Sequence, residues 1–115
     1  MITHKKVTFT LMDMDIKRVI DLVNRLEITK SSIIKDCLLK SFGWFEEELM
    51  DNDGKPLSET YSYPKKYPNT KPITVTLPFE VVDRLDYYSK KLGVKKSHLV
   101  MCGIEVELGY WVIYT

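Results

Sequence analysis

The sequence predicts a mainly α-helical protein with one two-stranded antiparallel β-ribbon. Two observations lead to this fold class: the second half of the chain aligns with the first, and each copy reads as a short strand followed by two helices. Composition agrees, because 44% hydrophobic and 29% charged residues in a chain of 115 are typical of one folded domain.

The internal repeat places residue 7 over residue 73 and continues without a gap into the second helix of each unit. Its clearest match is VTFTL at 7–11 over ITVTL at 73–77. Apolar residues fall on apolar residues throughout, which indicates that one structural unit is used twice. The other matches are Arg18 with Arg84, Leu26 with Leu92, Ile28 with Val94, Lys30-Ser31 with Lys96-Ser97, and Phe42-Gly43-Trp44 with Leu108-Gly109-Tyr110.

Each unit opens with strict alternation of apolar and polar residues, which is typical of a short strand with one buried face. In the first copy Val7, Phe9 and Leu11 point one way, and Thr8 and Thr10 point the other. The second copy repeats the pattern, with Ile73, Val75 and Leu77 on the apolar face and Thr74 and Thr76 on the polar face.

Two helices are predicted after each strand. Apolar residues recur at steps of three and four over residues 16–26 and again over residues 82–92, so the first helix of each unit is amphipathic. Capping residues then precede a second helix; they are Thr29 and Ser31 in the first unit and Gly93 and Ser97 in the second. Gly43 and Gly109 are expected to end the second helices.

Residues 46–70 read as a linker, because they are acidic at first, contain the turn sequence Asn52-Asp53-Gly54 and then become rich in Pro and Tyr. The tyrosines predict that part of the linker packs on the rest of the protein. The chain therefore divides into a first unit at 5–45, the linker, and a second unit at 71–111, and the two units are expected to form one globular domain.

Neither unit is expected to fold alone, because about 45 residues is near the lower limit for an independent core. Antiparallel pairing of the two strands would place their apolar faces over a core made by four helices. That pairing leaves Thr8, Thr10, Thr74 and Thr76 in a row on the outside. A two-stranded ribbon fits the major groove of B-DNA, where threonine hydroxyls can bond base edges and threonine methyls can touch the thymine methyl.

At residues 5–44 and 71–110 the chain resembles the ribbon-helix-helix family of DNA-binding proteins, which includes the Arc, MetJ and CopG repressors. The resemblance extends to tandem single-chain regulators of archaeal viruses, and it implies two such units in an intramolecular pseudo-dimer that binds double-stranded DNA. It implies base contacts by Lys6, Thr8, Thr10, Thr74 and Thr76. It also implies phosphate contacts at the starts of the second helices, where N–H groups and the helix dipole attract anions; these residues are Thr29, Lys30, Ser31, Lys95, Lys96 and Ser97.

The second strand departs from the family pattern at Pro72, where a polar or basic first reader is expected. Either Lys71 substitutes from the neighbouring position, or this end of the ribbon reads fewer bases. Lys71 is also counted among the expected phosphate contacts. The two halves of the DNA site are then not expected to be identical.

Net charge alone does not indicate a DNA-binding protein, because it is only +1. The charges are unevenly distributed, however, since five acids cluster at Glu46, Glu47, Glu48, Asp51 and Asp53. No apolar run is long enough to span a membrane, so we expect a soluble intracellular protein. The absence of Ala and Gln and the excess of Lys over Arg suit an AT-rich viral or plasmid sequence, which would place the protein in the host cytoplasm. Cys37 and Cys102 are interpreted as small buried residues without a disulfide.

No cofactor, metal or enzymatic activity is predicted, because phosphate loops, nucleophile elbows and metal-ligand motifs are missing and neither His4 nor His98 lies near a ligand cluster. Less specific interpretations remain open: the lysines could be solvated surface, and Ser31 and Ser97 could only cap helices. The aromatic tail at 111–114 could pack on the core or pair neighbouring molecules along DNA. The rival functions are an antitoxin-like interaction module and an architectural protein that coats DNA.

Overall fold

The computed structural model describes residues 3–51 and 69–108. The elements follow in the order β1 (His4–Met12), α1 (Asp13–Leu26), α2 (Lys30–Asp51), β2 (Thr70–Pro78), α3 (Phe79–Leu92) and α4 (Lys96–Glu107). The two strands form one antiparallel sheet, so the predicted fold class of four helices and a two-stranded ribbon is confirmed. Both strands extend beyond the alternating segment at each end.

The register of the ribbon is centred on two threonines that the repeat makes equivalent. Thr8 lies opposite Thr74, and the neighbouring pairs are Val7 with Val75 and Phe9 with Ile73. Thr74 is thus the partner of Thr8 in the ribbon and also its counterpart in the repeat. The strands are therefore paired symmetrically about the middle of the repeated sequence.

The apolar face of the ribbon covers the core, as the alternation predicts. Phe9, Leu11, Ile73, Val75 and Leu77 are all at most 5% exposed. Beneath them the helices contribute Val19, Ile34, Leu38, Leu85, Val100 and Ile104, which are at most 1% exposed. Burial of this one face fixes the register, because a slip by one residue would bring every threonine into the core.

Helix α2 does not end at Gly43, so that prediction is wrong. The helix continues beyond Gly43 to Asp51, which means that residues 46–51 of the predicted linker are helical. Phe42, Phe45 and Leu49 continue the apolar spacing of the helix and are 1%, 0% and 7% exposed. Their burial outweighs the cost of about 1 kcal/mol for a glycine within a helix. The rest of the predicted linker up to Pro68, and Gly109, lie outside the described residues.

The second helices of the two units, α2 and α4, cross closely at small residues. A Cβ atom built on Gly103 of α4 would lie 3.1 Å from Ser41 Oγ of α2, which is tighter than an ordinary contact. Both residues are buried. Cys37, the repeat counterpart of Gly103, is a buried free thiol nearby. Cys102 is also free, but it is half-buried rather than buried as predicted. Burial raises the pKa of Cys37 to about 11 and that of Cys102 to about 12, so both stay protonated at neutral pH.

Candidate nucleic-acid interface

The outer face of the ribbon presents the residues that the sequence predicts as base readers. Lys6, Thr8, Thr10 and Thr76 are exposed, and Thr74 is half-buried. In the register Lys6 pairs with Thr76, Thr8 with Thr74, and Thr10 with Pro72. The structure therefore brings all five together on one surface, as three cross-strand pairs that follow one another along the ribbon.

The central pair of this row is joined by its own side chains. Thr8 Oγ1 and Thr74 Oγ1 lie 2.8 Å apart, so one hydroxyl donates to the other. The hydroxyl that accepts keeps its own hydrogen, and both oxygens retain acceptor capacity toward the outside. The pair can thus present one donor and acceptors to a ligand while its two side chains hold each other in place.

The backbone along each edge of the ribbon is bound by a serine from a second helix. Ser97 Oγ of α4 accepts the Thr10 N–H of β1 at 3.0 Å, and Ser31 Oγ of α2 accepts the Thr76 N–H of β2 at 2.9 Å. The two donors are counterparts in the repeat, and so are the two acceptors. Each hydrogen bond therefore joins the helix of one repeat to the strand of the other, and the start of each second helix is fixed against the ribbon.

Pro72 fits this ribbon without loss of pairing. In an antiparallel pair, the backbone N–H groups of alternate residues on one strand point to the same side, either toward the partner strand or away from it. Since the N–H of Thr76 points out of the ribbon to Ser31, the backbone nitrogen of residue 72 also faces the outer edge. A proline there removes no hydrogen bond between the strands. It does leave Thr10 opposite an apolar ring at this end of the row.

The starts of α2 and α4 differ in their capping. In α2 the Thr29 hydroxyl accepts the backbone N–H of Ser32 at 3.1 Å, so Thr29 is a cap as predicted. In α4 the corresponding position is Lys95, with no hydrogen bond from its side chain to the helix. The hydroxyls of Ser31 and Ser97 bind the ribbon instead of capping, which favours a role in assembling the two elements over the capping interpretation. The first turn of α4 thus keeps more of its N–H groups available to a ligand.

The predicted phosphate-binding lysines lie around these helix starts. Lys30 and Lys95 are exposed, whereas Lys96 Nζ forms an ion pair with Asp86 Oδ1 of α3 at 2.6 Å. An open groove of about 450 Å³ runs beside β1 and is lined in part by Lys5, Thr8, Lys95, Lys96 and Ser97. Lys5 was not among the residues predicted to bind. Lys5 falls on the apolar side of the alternation, so the sequence pattern did not indicate that it could bind a ligand. The only indication was its position near the end of the strand, where side chains reach solvent.

Lys71 lies apart from the threonine row. Its place in β2 puts it on the same side of the ribbon as Ile73 and Val75, which are buried. The Lys71 ammonium is 3.4 Å from Asp13 Oδ1, at the first residue of α1. Lys71 therefore does not stand in for a base reader at position 72, and its predicted phosphate contact would compete with this ion pair.

Positive and negative charges are separated along α2. Lys30 begins the helix at the ribbon, and Glu46 lies in the part of the helix beyond Gly43. At a rise of 1.5 Å per residue these two positions are about 24 Å apart, more than two screening lengths at physiological salt. The acids in this part of α2 therefore act only weakly on the surface formed by the ribbon and the helix starts, whereas Asp13 and Asp86 lie directly beside Lys71 and Lys96.

Within residues 3–51 and 69–108, no group of three His, Cys, Asp or Glu side chains is placed to hold a metal ion. None of the described helices is long and apolar enough to cross a bilayer. His98, in the first turn of α4, is half-buried, and burial lowers its imidazole pKa, so it adds little positive charge at neutral pH.

The predicted roles of residues 109–115, including the aromatic tail, lie outside the described residues. No family model, curated protein or solved structure matches the chain.

Proposed function

We propose that this protein is a sequence-specific regulator of transcription that binds double-stranded DNA, most simply a repressor, and that its two repeats form a ribbon-helix-helix pseudo-dimer within one chain. The ribbon enters the major groove, and the starts of α2 and α4 bind phosphates on either side. The protein would act in the cytoplasm, of the host if the chain is viral.

One observation carries the proposal: a row of threonines on the outer face of the ribbon lies between two helix starts that are bound to the edges of the same ribbon. Base edges in the major groove are read by hydroxyl and methyl groups of this kind. Helix starts offer N–H groups and a partial positive charge to phosphate. Because Ser31 and Ser97 fasten these helix starts to Thr76 and Thr10, the base-reading and phosphate-binding groups are held in one fixed arrangement.

The pseudo-dimer is supported by the same geometry. Thr8 and Thr74, equivalent in the repeat, face each other at the centre of the ribbon, and the two serine bonds are exchanged between the repeats at equivalent positions. In a chain of this kind the second unit is always present at a high effective concentration, on the order of millimolar. Assembly of the reading surface would therefore not depend on protein concentration.

The DNA site should be asymmetric. One end of the row has Lys6 beside Thr76, and the other has Thr10 beside Pro72. A lysine can donate to guanine or to phosphate, whereas proline offers neither a donor nor an acceptor from its side chain. We therefore expect more sequence information at the half-site read by Lys6.

The test is a selection of bound sequences from a random duplex pool at physiological salt, followed by affinity measurements on the selected site and on a scrambled duplex. Replacing Lys6 or Thr8 with alanine should weaken binding to the selected site by about 1–3 kcal/mol, which is roughly 5-fold to 150-fold in Kd. Binding to the scrambled duplex should change little for Thr8→Ala. An unchanged ratio of selected to scrambled affinity in Thr8→Ala would remove the base-reading proposal.

Phosphate binding is tested by the salt dependence of the same affinities. Lys30→Ala should weaken selected and scrambled duplexes about equally and lower the slope of log K against log salt by about 0.9. Lys40→Ala is the matched control, since it removes an exposed lysine from the same helix at a position farther from the ribbon. An equal effect of the two variants would indicate general electrostatics rather than a phosphate site at the start of α2.

The rival functions give different results in this assay. A coating protein would bind every duplex with similar affinity and yield no selected sequence. An antitoxin-like interaction module without DNA binding would retain no duplex.

A further inference from the structure

The two edges of the ribbon differ in charge, although the repeat makes them equivalent. Lys5, near the start of β1, corresponds to Lys71, near the start of β2. The Lys71 ammonium is 3.4 Å from Asp13 Oδ1, whereas Lys5 forms no ion pair with any residue that the structure describes. The charge of Lys71 is thus partly neutralised by the protein itself, and that of Lys5 is left for another partner.

Lys5 lacks an acid because Phe79 occupies the place that Asp13 has in the other repeat. The backbone shows that the two places are equivalent. The N–H of Asp13 donates to the carbonyl of Asn69 at 2.8 Å, and the N–H of Phe79 donates to the carbonyl of Thr3 at 3.2 Å. These two hydrogen bonds are counterparts in the repeat. The backbone is therefore arranged alike at both strand ends, and the first side chain of the following helix decides whether the lysine meets an acid.

Lys5 lines the groove of about 450 Å³ beside β1, together with Lys95 and Lys96 from the start of α4. All three lysines are exposed. Thr8, at the centre of the threonine row, also lines the groove, so the groove adjoins the proposed base-reading surface. From Lys5 to Phe9 it follows β1 for about 13 Å, which is long enough for more than one phosphate of a DNA strand.

The equivalent surface at the edge of β2 is less positive. There Thr29, a neutral helix cap, takes the place of Lys95. The edge of β1 thus has three lysines and one ion-paired acid, whereas the edge of β2 has two lysines and one ion-paired acid. Each additional lysine that neutralises a phosphate releases about one more counterion, so the extra charge favours binding at the edge of β1.

We propose that the groove beside β1 is the main phosphate anchor of this protein, that Lys5 binds a DNA phosphate there, and that Asp13 keeps Lys71 from the equivalent contact. The inference rests on the proposed function, since its ligand is the backbone of the same duplex. Phosphate contacts fix the register and orientation of a protein on DNA. Unequal anchors therefore give the protein a preferred direction on its site, independently of the bases that the ribbon reads.

The first test compares Lys5→Gln with Lys71→Gln, which remove the same charge at equivalent positions. Affinity for the scrambled duplex is measured between about 50 and about 200 mM salt. Lys5→Gln should lower the slope of log K against log salt by about 0.9, so over this range the unmodified protein loses about 3.5-fold more affinity than the variant. Lys71→Gln should leave the slope unchanged. Because both lysines are exposed, circular dichroism should be the same for both variants.

The second test releases Lys71 without altering Lys5. Asp13→Asn removes the acid that Lys71 contacts, so the slope should rise by about 0.9 and the gain should vanish when Lys71→Gln is added. The matched control is Asp21→Asn, which removes an exposed acid of the same helix that is paired with Arg25 instead. This control should leave the slope unchanged.

The outcomes separate this inference from the proposed function. Equal effects of Lys5→Gln and Lys71→Gln, or a gain in Asp13→Asn that survives Lys71→Gln, would overturn the inference while DNA binding itself remained. Failure of the unmodified protein to bind any duplex would overturn the proposed function and the inference with it.

Discussion

Gly43→Ala should stabilise this protein, because Gly43 lies inside α2 and has no structural need to be glycine. The helix runs from Lys30 to Asp51, so Gly43 is well inside both ends. A Cβ atom built there meets nothing within 4 Å, so alanine adds no clash. Alanine is about 0.8–1.0 kcal/mol more favourable than glycine in a helix interior. For a domain of this size the gain corresponds to a rise in Tm of about 3–6 °C.

Gly103→Ala is the matched control, since it makes the same change in the interior of α4. Here the new Cβ would lie 3.1 Å from Ser41 Oγ, on a residue that is fully buried. The gain in helix propensity is then opposed by overpacking, which costs about 1–3 kcal/mol in a well-packed core. We expect Gly103→Ala to be neutral or destabilising, and Ser41→Ala to restore part of the gain by removing the hydroxyl that the methyl meets.

Urea denaturation followed by circular dichroism measures both variants as differences in the free energy of unfolding. The order of stability should be Gly43→Ala, then the unmodified protein, with Gly103→Ala equal to it or below. A loss of stability in Gly43→Ala would mean that the helix ends near Gly43, with a backbone that alanine cannot adopt. That outcome would also remove the basis for extending α2 over α3.

Four further variants test other parts of the fold. Ser31→Ala and Ser97→Ala should each destabilise by about 0.5–1.5 kcal/mol in thermal unfolding and by similar amounts, because each removes one equivalent hydrogen bond to the ribbon; a large inequality would contradict their equivalence. Gly93 has φ 68° at the end of α3, so Gly93→Ala should cost about 1 kcal/mol in urea denaturation, and no loss would argue against the left-handed cap. Burial, and secondarily the nearby Asp15 carboxylate, raise the pKa of Glu105 above its ordinary value of 4.5, so its contribution to stability is present below pH 4.5 and is lost as pH rises through the raised pKa. Glu105→Gln should therefore gain stability relative to the unmodified protein as pH rises from about 4 to about 7, and parallel pH profiles of Tm would refute this.

The strands and the core were predictable because two independent signals agree on them. Alternation alone is a weak signal over so short a segment, since any exposed strand can show it. Its recurrence at the same register before paired helices identifies six core residues, and five of them are buried: Phe9, Leu11, Ile73, Val75 and Leu77. The sixth, Val7, is only half-buried against the core. Antiparallel pairing then follows, because neither unit can bury such a face by itself.

The end of α2 could not be predicted, because local and tertiary effects oppose each other there. Glycine and the glutamates that follow it favour a helix end and a solvated linker. Phe45 and Leu49 favour continuation, but only because Tyr88 of the other repeat lies where they can pack. The sequence around Gly43 does not show that a packing partner exists in the other repeat. The local pattern therefore predicted that the helix ends too early.

The serine contacts were not predicted for a similar reason. Serine near a helix start is usually a cap, and Ser31 and Ser97 occupy such positions. Their partners are backbone N–H groups of strands that are distant in the sequence, Thr76 for Ser31 and Thr10 for Ser97. Backbone groups are the same at every residue and provide no sequence signal, so only the folded arrangement reveals which N–H a hydroxyl reaches.

Because the two repeats lie in one chain, they can carry different residues at equivalent positions. In a dimer of identical chains each residue must suit two equivalent places, but here each place has its own residue. Asp15, fully buried, corresponds to Val81, and Lys6 corresponds to Pro72. The first difference changes the core and the second changes the outer row of the ribbon, while both serine bonds to the ribbon are retained. Under the proposed function, the retained bonds preserve the framework that positions the helix starts, and the divergent row allows the two halves of a DNA site to differ in sequence.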